Sequence, residues 1–183
     1  MKGLRIEIDD KSGFCFGVVR AISEAEKALA EGSTVYSLGD IVHNRIEVQR
    51  LERLGLRTVT HADMPALGGR RLFIRAHGEP PTTYAAARAM DIGIIDATCP
   101  FVRKIQKIAA EAEAAGAVLV VAGDASHPEV QGIVGHTRGE VFVFGDLAQL
   151  KAWKGPSDPQ KPIFAVAQTT FQVTKWQESS EFL

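Results

Sequence analysis

The sequence is short of the features that would assign it to a special class of protein. It has only two cysteines, two tryptophans and two tyrosines among 183 residues. No apolar run approaches the length of about eighteen residues that a membrane span needs, and the segment MKGLRIEIDDKSG carries acids where a signal peptide would be apolar. Its 21 basic and 22 acidic residues leave a net charge of -1, whereas nucleic-acid binding needs a basic surface. These absences predict a cytoplasmic protein that binds neither nucleic acid nor membrane.

The two cysteines, Cys15 and Cys99, are far apart in the sequence and form no CxxC pair. In a cytoplasmic protein, two cysteines rarely form a structural disulfide. Buried thiols, redox thiols and metal ligands are the remaining roles, and the spacing by itself specifies no metal. Taken singly, each cysteine is most simply a small buried apolar residue. The residues around them must therefore decide between these roles.

Short strand-like runs alternate with helix-like runs along the chain. Strands are predicted over 4–9, 34–39, 71–76, 93–97, 117–124, 140–145 and 163–168. Helices are predicted over 17–32, 44–55, 81–90, 100–116, 128–136 and from Phe171 onward, with a loop over 155–162. The helix over 100–116 has an apolar inner face of Phe101, Val102, Ile105, Ile108, Ala109 and Ala112. The alternation predicts an α/β fold made of two small parallel-sheet domains, 1–98 and 99–183.

Residues with chemical capability concentrate where the predicted strands end. These junction residues are Cys15, His43, His77, Cys99, His127, Glu129, Thr169 and Thr170. Ligands of open α/β sheets bind outside the carboxyl ends of the strands. We therefore expect these side chains to lie close together at one edge of the fold.

Proline directly follows Cys99 and His127. Because proline favours the first position of a helix and holds the preceding residue extended, both side chains are predicted to lie just outside helix N-termini. Such termini favour a thiolate and attract anions, above all phosphate. Simpler interpretations exist: Glu129 would complement a helix dipole, and His61 and His136 are assigned capping or surface roles. Together, the junction residues predict a thiolate metal site beside an anion pocket.

Six motifs, in one order and at fitting intervals, resemble a known family. They are SGFCFGVVRAI, LGDIVHNRIEV, RAHGEPP, DATCPFVRK, ASHPEVQG and AQTT. The family is that of the 4-hydroxy-3-methylbut-2-enyl diphosphate reductases, the LytB-type iron–sulfur enzymes of the non-mevalonate isoprenoid pathway. Each motif alone is weakly specific, whereas the six together are highly specific.

The resemblance implies a trefoil of three small α/β domains around a central [4Fe–4S] cluster, which one cysteine from each domain binds. Cys15 and Cys99 would be two of these three ligands. The other implied site residues are His43, His77 and His127, which contact the diphosphate or the substrate hydroxyl, Glu129 on the proton-delivery path, the active-site threonine Thr169, and Thr170 beside it. Of these, His127, Glu129 and Thr169 would be catalytic.

The reaction that the resemblance implies is a reductive dehydroxylation. Electrons and protons remove the allylic hydroxyl of 4-hydroxy-3-methylbut-2-enyl diphosphate, and the products are isopentenyl and dimethylallyl diphosphate. The electrons would come from a ferredoxin or a flavodoxin.

The chain departs from the family pattern because it has no third cysteine. Its motifs correspond to the family's first two domains, so we expect the third domain to be absent and the chain alone to be inactive. Two other interpretations stay open. One is a non-redox diphosphate-binding protein with free thiols, and the other is a zinc site made by Cys15, Cys99 and a histidine.

Overall fold

The structure, a computed structural model, describes residues 6, 7, 9 and 12–183. The strands β1 (Val35–Leu38), β2 (Leu56–Val59), β3 (Arg71–Ile74) and β4 (Gly93–Asp96) form one sheet in the order β2-β1-β3-β4. The strands β5 (Val118–Ala122), β6 (Val141–Phe144) and β7 (Ile163–Ala167) form a second sheet in the order β6-β5-β7. All strand pairs are parallel. The predicted α/β fold with parallel sheets is therefore confirmed.

Seven α-helices and one 3₁₀ helix accompany these strands in the described part of the chain. They are α1 (Phe16–Ala30), α2 (Arg45–Arg53), α3 (Pro81–Ala89), α4 (Pro100–Ala114), α5 (Pro128–Val134), α6 (Leu147–Ala152), α7 (Val173–Phe182) and the 3₁₀ helix His61–Ala66. Proline begins α3, α4 and α5, as its fixed φ favours. Among the described residues, no helix is both long enough and apolar enough to cross a bilayer.

Three elements were not predicted because their sequence signals are short. Strand β2 lies at the edge of its sheet, and two of its four residues are exposed. The 3₁₀ helix and α6 have six residues each, fewer than helical periodicity needs to be recognised. The predicted strand over 4–9 includes residues 4, 5 and 8, which lie outside the described residues, so it stays a prediction.

Strand β5 is buried because helices cover both faces of its sheet. All five of its residues are buried. Leu119 and Val121 pack in one cluster with residues of α4 and α5, and Val118 and Val120 pack in another with residues of α6 and α7. This two-sided cover accounts for the unbroken apolar sequence of the strand.

The inner face of α4 differs from its prediction. The helix buries Val102, Gln106, Ala109 and Ala112, but Phe101 is 64% exposed. The prediction was wrong for Phe101 because the first turn of α4 extends beyond the sheet that the rest of the helix covers. Its ring is thereby available to line a cavity at the sheet edge.

The first sheet contacts helix α4, which packs on the second sheet, through the loops that follow β3 and β4. The backbone N–H of Cys99 donates a hydrogen bond to the carbonyl of Ala76 at 3.0 Å. Gly78 lies directly against Gln106 and Thr98, because a Cβ at Gly78 would lie 2.4 Å from Gln106 Nε2 and 2.8 Å from Thr98 Cγ2. Only glycine therefore permits this approach between the loop of one sheet and helix α4 of the other.

We expect Gly78→Ala to destabilise the protein much more than Gly69→Ala. Both glycines have φ of +69°, but a Cβ at Gly69 would meet nothing within 4 Å. Left-handed backbone strain costs both variants about 1–2 kcal/mol, and overpacking adds about 1–3 kcal/mol at Gly78 alone. Denaturant unfolding of both variants measures this difference in free energy. Equal destabilisation of the two variants would show that the side chains around Gly78 move to accommodate a Cβ at no cost in free energy, which would contradict the prediction.

Candidate functional site

Most of the predicted site residues follow strands, at the carboxyl edges of the two sheets. His43 follows β1, His77 follows β3, Cys99 follows β4, His127 follows β5 and Thr169 follows β7. Cys15 directly precedes α1. Parallel strands of both sheets thus deliver these side chains to one region, as the strand-end rule requires.

His43, His77 and His127 form a compact cluster. Their ring centroids are 5.4 Å apart for His43 and His77, 5.0 Å for His77 and His127, and 6.3 Å for His43 and His127. One ring nitrogen from each lies within 4.8 Å of the others, and this is the only such group of three potential metal ligands in the described part of the chain. The histidine cluster can therefore act on one small ligand from three directions.

The hydrogen bonding of His127 decides which chemistry it presents to that ligand. Its Nδ1 accepts a hydrogen bond from the backbone N–H of Glu129 at 3.1 Å, so that the ring caps α5. An accepting imidazole nitrogen carries no proton, and the neutral ring then has its hydrogen on Nε2. His127 therefore presents an N–H donor, which suits an anion, rather than a free lone pair, which a metal ion would need.

The His77 ring is partly buried. Burial lowers its pKa to about 4, and the positive charges of Arg75, His127 and His43 act in the same direction. Its Nδ1 is buried and has no hydrogen-bond partner among the described residues. A neutral ring with a nitrogen left unpaired is costly unless a ligand completes its hydrogen bonding.

Glu129 and Thr169 connect the two halves of the site. The Glu129 side chain is almost completely buried, with 2% of the residue exposed. Its Oε1 accepts a hydrogen bond from the Thr169 backbone N–H at 2.7 Å, and its Oε2 accepts one from Thr169 Oγ1 at 2.8 Å. The carboxylate is held by both bonds, so the Thr169 hydroxyl has a defined orientation toward it.

Cys15 and Cys99 line a common cavity of about 520 Å³. Its other lining residues are Phe16, Gly17, Phe101, Lys104, Ile105, Thr169 and Thr170. Both thiols are free, and each is the N-cap residue of a helix without a capping hydrogen bond from its side chain. Thr169 borders this cavity and also bonds Glu129, so the cysteine cavity adjoins the histidine side of the site.

Gly17 brings helix α1 against the sulfur of Cys99. A Cβ at position 17 would lie 2.8 Å from Cys99 Sγ, which is closer than any side chain tolerates without displacement. The two cysteine-bearing segments are also tied by Arg20, whose Nη1 donates to the carbonyls of Ala97 at 3.3 Å and Thr98 at 3.0 Å. These contacts fix where the two thiols face.

The zinc site suggested for Cys15, Cys99 and a histidine is not assembled. Within the described ranges, only the three histidines bring potential ligand atoms within 4.8 Å of one another, and neither cysteine belongs to that group. The two histidines that were not assigned to the site, His61 and His136, have other contacts. His61 Nε2 is 2.8 Å from Glu79 Oε2, and His136 Nδ1 is 2.7 Å from the Gly132 carbonyl.

Some site residues were missed by the sequence analysis. Gly17, Phe16 and Lys104 line the cysteine cavity, and Arg75 acts on His77 electrostatically. The signal for Arg75 was a charged residue at the end of the apolar run LFI, directly before the predicted His77 junction. Phe101 and Ile105 also line this cavity. Their role there was not predicted, because helical periodicity places both in the core.

We expect the stability of the protein to fall as the pH decreases from 6.5 toward about 4. The ordinary histidine pKa of 6.5 applies to unfolded His77, whereas the folded pKa is about 4. The unfolded state therefore binds the extra proton in this window and is favoured, by about 2 kcal/mol after allowance for solvent screening. Chemical unfolding at several pH values should show a shallower dependence for His77→Gln. An unchanged dependence would contradict the depressed pKa.

Comparison with known proteins gives the family. A family model described as LytB protein matches residues 6–183. A 4-hydroxy-3-methylbut-2-enyl diphosphate reductase from Parabacteroides distasonis is 50% identical over 151 residues, which cover 80% of this chain and 52% of the relative. One from Bacteroides fragilis is 42% identical over 184 residues, which cover 98% of this chain and 62% of the relative.

Solved structures agree with these relatives. A structure of (E)-4-hydroxy-3-methyl-but-2-enyl diphosphate reductase, described as the terminal enzyme of the non-mevalonate pathway, superposes with a TM-score of 0.80 at 34% identity, covering 97% of this chain and 62% of that one. The reductase from Plasmodium falciparum gives a TM-score of 0.84 at 26% identity, covering 94% and 54%. The chain thus spans 52% to 62% of the length of these relatives. It belongs to the LytB family.

Proposed function

We propose that this chain forms part of a 4-hydroxy-3-methylbut-2-enyl diphosphate reductase. The reaction would be the reductive removal of the allylic hydroxyl, which gives isopentenyl and dimethylallyl diphosphate. One observation carries the proposal: Thr169 lies on the cavity shared by Cys15 and Cys99 and also bonds Glu129, beside the histidine cluster. The cavity of the two thiols and the Glu129 carboxylate thus meet at Thr169, and the Glu129 backbone N–H bonds His127 of the histidine cluster.

The cysteine cavity fits an iron–sulfur cluster. Two free thiols face an enclosure with apolar walls of Phe16, Phe101 and Ile105, and Gly17 leaves the space beside the Cys99 sulfur open. Cys15 and Cys99 would be ligands, because thiolates are the usual ligands of such clusters. A [4Fe–4S] cluster bound there would supply electrons and a Lewis acid for the allylic oxygen. Since the sequence has two cysteines, a third thiolate would come from outside these 183 residues.

The histidine cluster would hold the diphosphate. His127 offers an Nε2–H donor because its Nδ1 caps α5, and His77 has an unpaired buried nitrogen that a phosphate oxygen would satisfy. His43 is exposed at the entrance and completes the three-sided contact. The cluster orients the substrate so that its other end extends toward Thr169, with Thr170 beside it.

Glu129 and Thr169 would deliver the proton that the leaving hydroxyl needs. A proton held on Glu129 can pass to Thr169 Oγ1, which lies 2.8 Å away, while the Thr169 hydroxyl passes its own proton to the allylic oxygen. Such a relay through a positioned hydroxyl is ordinary general acid catalysis. Because Glu129 is buried, its proton would not be lost to bulk water before the transfer. His127, whose Nδ1 accepts a hydrogen bond from the Glu129 backbone N–H, would help to orient the substrate for this step.

Location, partners and domain division follow from the same proposal. A cytoplasmic protein would receive electrons from a ferredoxin or flavodoxin and would take the allylic diphosphate as its substrate. We place the domain boundary near residue 98, between the last strand of the first sheet, which ends at Asp96, and helix α4, which begins at Pro100.

The second candidate function is non-redox binding of a diphosphate, with both cysteines as free thiols. The geometry of the histidine cluster is compatible with it, because the anion contacts do not depend on the cysteines. The absence or presence of cluster assembly separates the two functions.

We expect anaerobic reconstitution with iron, sulfide and an added small thiol to produce a broad visible absorption that disappears in Cys15→Ser and in Cys99→Ser. Each thiolate supplies one bond that serine replaces poorly, and the added thiol stands in for the third ligand. Iron and sulfide counts and the visible spectrum provide the readout, and circular dichroism checks folding. Absorption that survives either substitution would contradict joint ligation. A chain that binds pyrophosphate but no iron would favour the second candidate.

We expect inorganic pyrophosphate to bind the wild-type chain, and His43→Ala and His77→Ala each to weaken binding by about tenfold, because each removes a charge-assisted hydrogen bond worth about 1.5 kcal/mol. Calorimetric titration measures the affinities. His136→Ala is the matched control, since His136 contacts the Gly132 carbonyl outside the cluster, and its affinity should stay at the wild-type value. An equal effect of all three substitutions would contradict a specific site.

A further inference from the structure

The histidine cluster is poor in positive charge for the anion that it is proposed to hold. His77 is neutral at physiological pH because its pKa is about 4, and the Nδ1 of His127 is occupied as the acceptor of a backbone hydrogen bond. A diphosphate carries several negative charges, and desolvating them against neutral donors alone is costly. The site therefore needs a permanent cation close to the rings.

Arg75 lies in the right place to be that cation. It precedes His77 by one residue, Ala76, at the end of β3. Its guanidinium lies across Gly39, because a Cβ there would be 2.6 Å from Nη1 and 2.8 Å from Cζ. Gly39 begins the segment that leads from β1 to His43. The guanidinium thus lies between the two segments that carry His77 and His43.

The Arg75 guanidinium also has a hydrogen-bond donor that is not used. Its Nε is buried without a hydrogen-bond partner among the described residues. Burial lowers the pKa of Arg75, and the negative charges of Glu79 and Asp40 oppose that lowering. Glu79 Oε2, however, lies 2.8 Å from His61 Nε2 and accepts a hydrogen bond from Thr83 Oγ1 at 3.2 Å. Arg75 is therefore charged, partly compensated and free to interact with an incoming anion.

Two other cations near the site are engaged. Arg20 donates to the carbonyls that precede Cys99, and Arg103 forms an ion pair with Asp96 at 2.9 Å. Arg45 lines a cavity together with Asp40 and His43, and Lys104 lines the cysteine cavity. Arg45 and Lys104 are the rivals that an experiment has to exclude.

We propose that Arg75 supplies the permanent positive charge of the histidine site and positions it for an anion with at least two negative charges, such as a diphosphate. The proposal rests on the anion-binding part of the proposed function and adds a residue to it. Arg75 acts here as an electrostatic and positioning residue. Its contribution is a charge that does not depend on the protonation of any histidine.

The test compares pyrophosphate affinity, by calorimetric titration of the full chain, for a set of variants. Arg75→Met should weaken binding about tenfold or more, because it removes a full charge that acts on His77, and Arg75→Lys should recover most of that loss. Glu79→Gln should tighten binding about threefold, because it removes a compensating negative charge. Arg57→Met, on the exposed edge strand β2, changes the net charge equally and should leave affinity unchanged.

The affinity should fall in Arg75→Met and rise in Glu79→Gln. Damage to the structure would instead weaken binding in both variants, so the two changes distinguish an electrostatic effect from misfolding. Loss of affinity in Arg45→Met or Lys104→Met with none in Arg75→Met would overturn the proposal and assign the charge to that residue. Equal binding by wild type and Arg75→Met would overturn it while leaving the histidine site intact. No binding by the wild type would contradict both this proposal and the histidine site.

A second measurement does not depend on ligand binding. The groups that face His77 are Arg75, His127 and His43, and NMR titration of the His77 ring should give a higher pKa in Arg75→Met than in the wild type. Arg75→Lys should keep the wild-type value. A His77 pKa that does not respond to Arg75→Met would show that its charge does not reach the cluster, and would overturn the proposal.

Discussion

The close contact at Gly78 is the constraint on which the site depends. Neither sheet carries the whole set of reactive side chains: the first supplies His43 and His77, and the second supplies His127, Glu129 and Thr169. The two sets become one site because the loop after β3 lies against Gln106 of α4, and Gly132 of α5 approaches the His77 and Gly78 carbonyls of that loop. The hydrogen bond from Cys99 N–H to the Ala76 carbonyl fixes the same junction from the other side.

Helix N-termini organise the chemistry on both sides of that contact. Cys15 and Cys99 each precede a long helix and make no capping bond with their side chains, so that both sulfurs stay available. His127 also precedes a helix, but its Nδ1 does cap, which leaves only the other ring nitrogen for further contacts. The same position in the fold thus leaves a free thiol in two cases and an imidazole with one uncapped nitrogen in the third.

The strength of the local signal decided which parts could be predicted. The helices α3, α4 and α5 could be predicted because each begins with proline, and β5 could be predicted from its apolar run. The edge strand β2, with exposed Arg57 and Thr58, and the six-residue α6 gave no comparable signal. Phe101 was misplaced because helical periodicity describes which residues share a face, and it does not say where the neighbouring sheet ends. Arg75 was not recognised because two of its neighbours, Gly39 and Asp40, follow a different strand, β1.

By itself, the sequence determined the alternation of strands and helices, and with it the arrival of cysteines, histidines and threonines at strand ends, because these follow from periodicity and from the local preferences of proline. The six motifs likewise determined the family. Only the tertiary structure decided that ring nitrogens of three histidines lie within 4.8 Å of one another. It likewise decided that two thiols share one cavity and that Glu129 is buried against Thr169. Those outcomes depend on how two sheets pack, and packing is a property of contacts between residues that are distant in the chain.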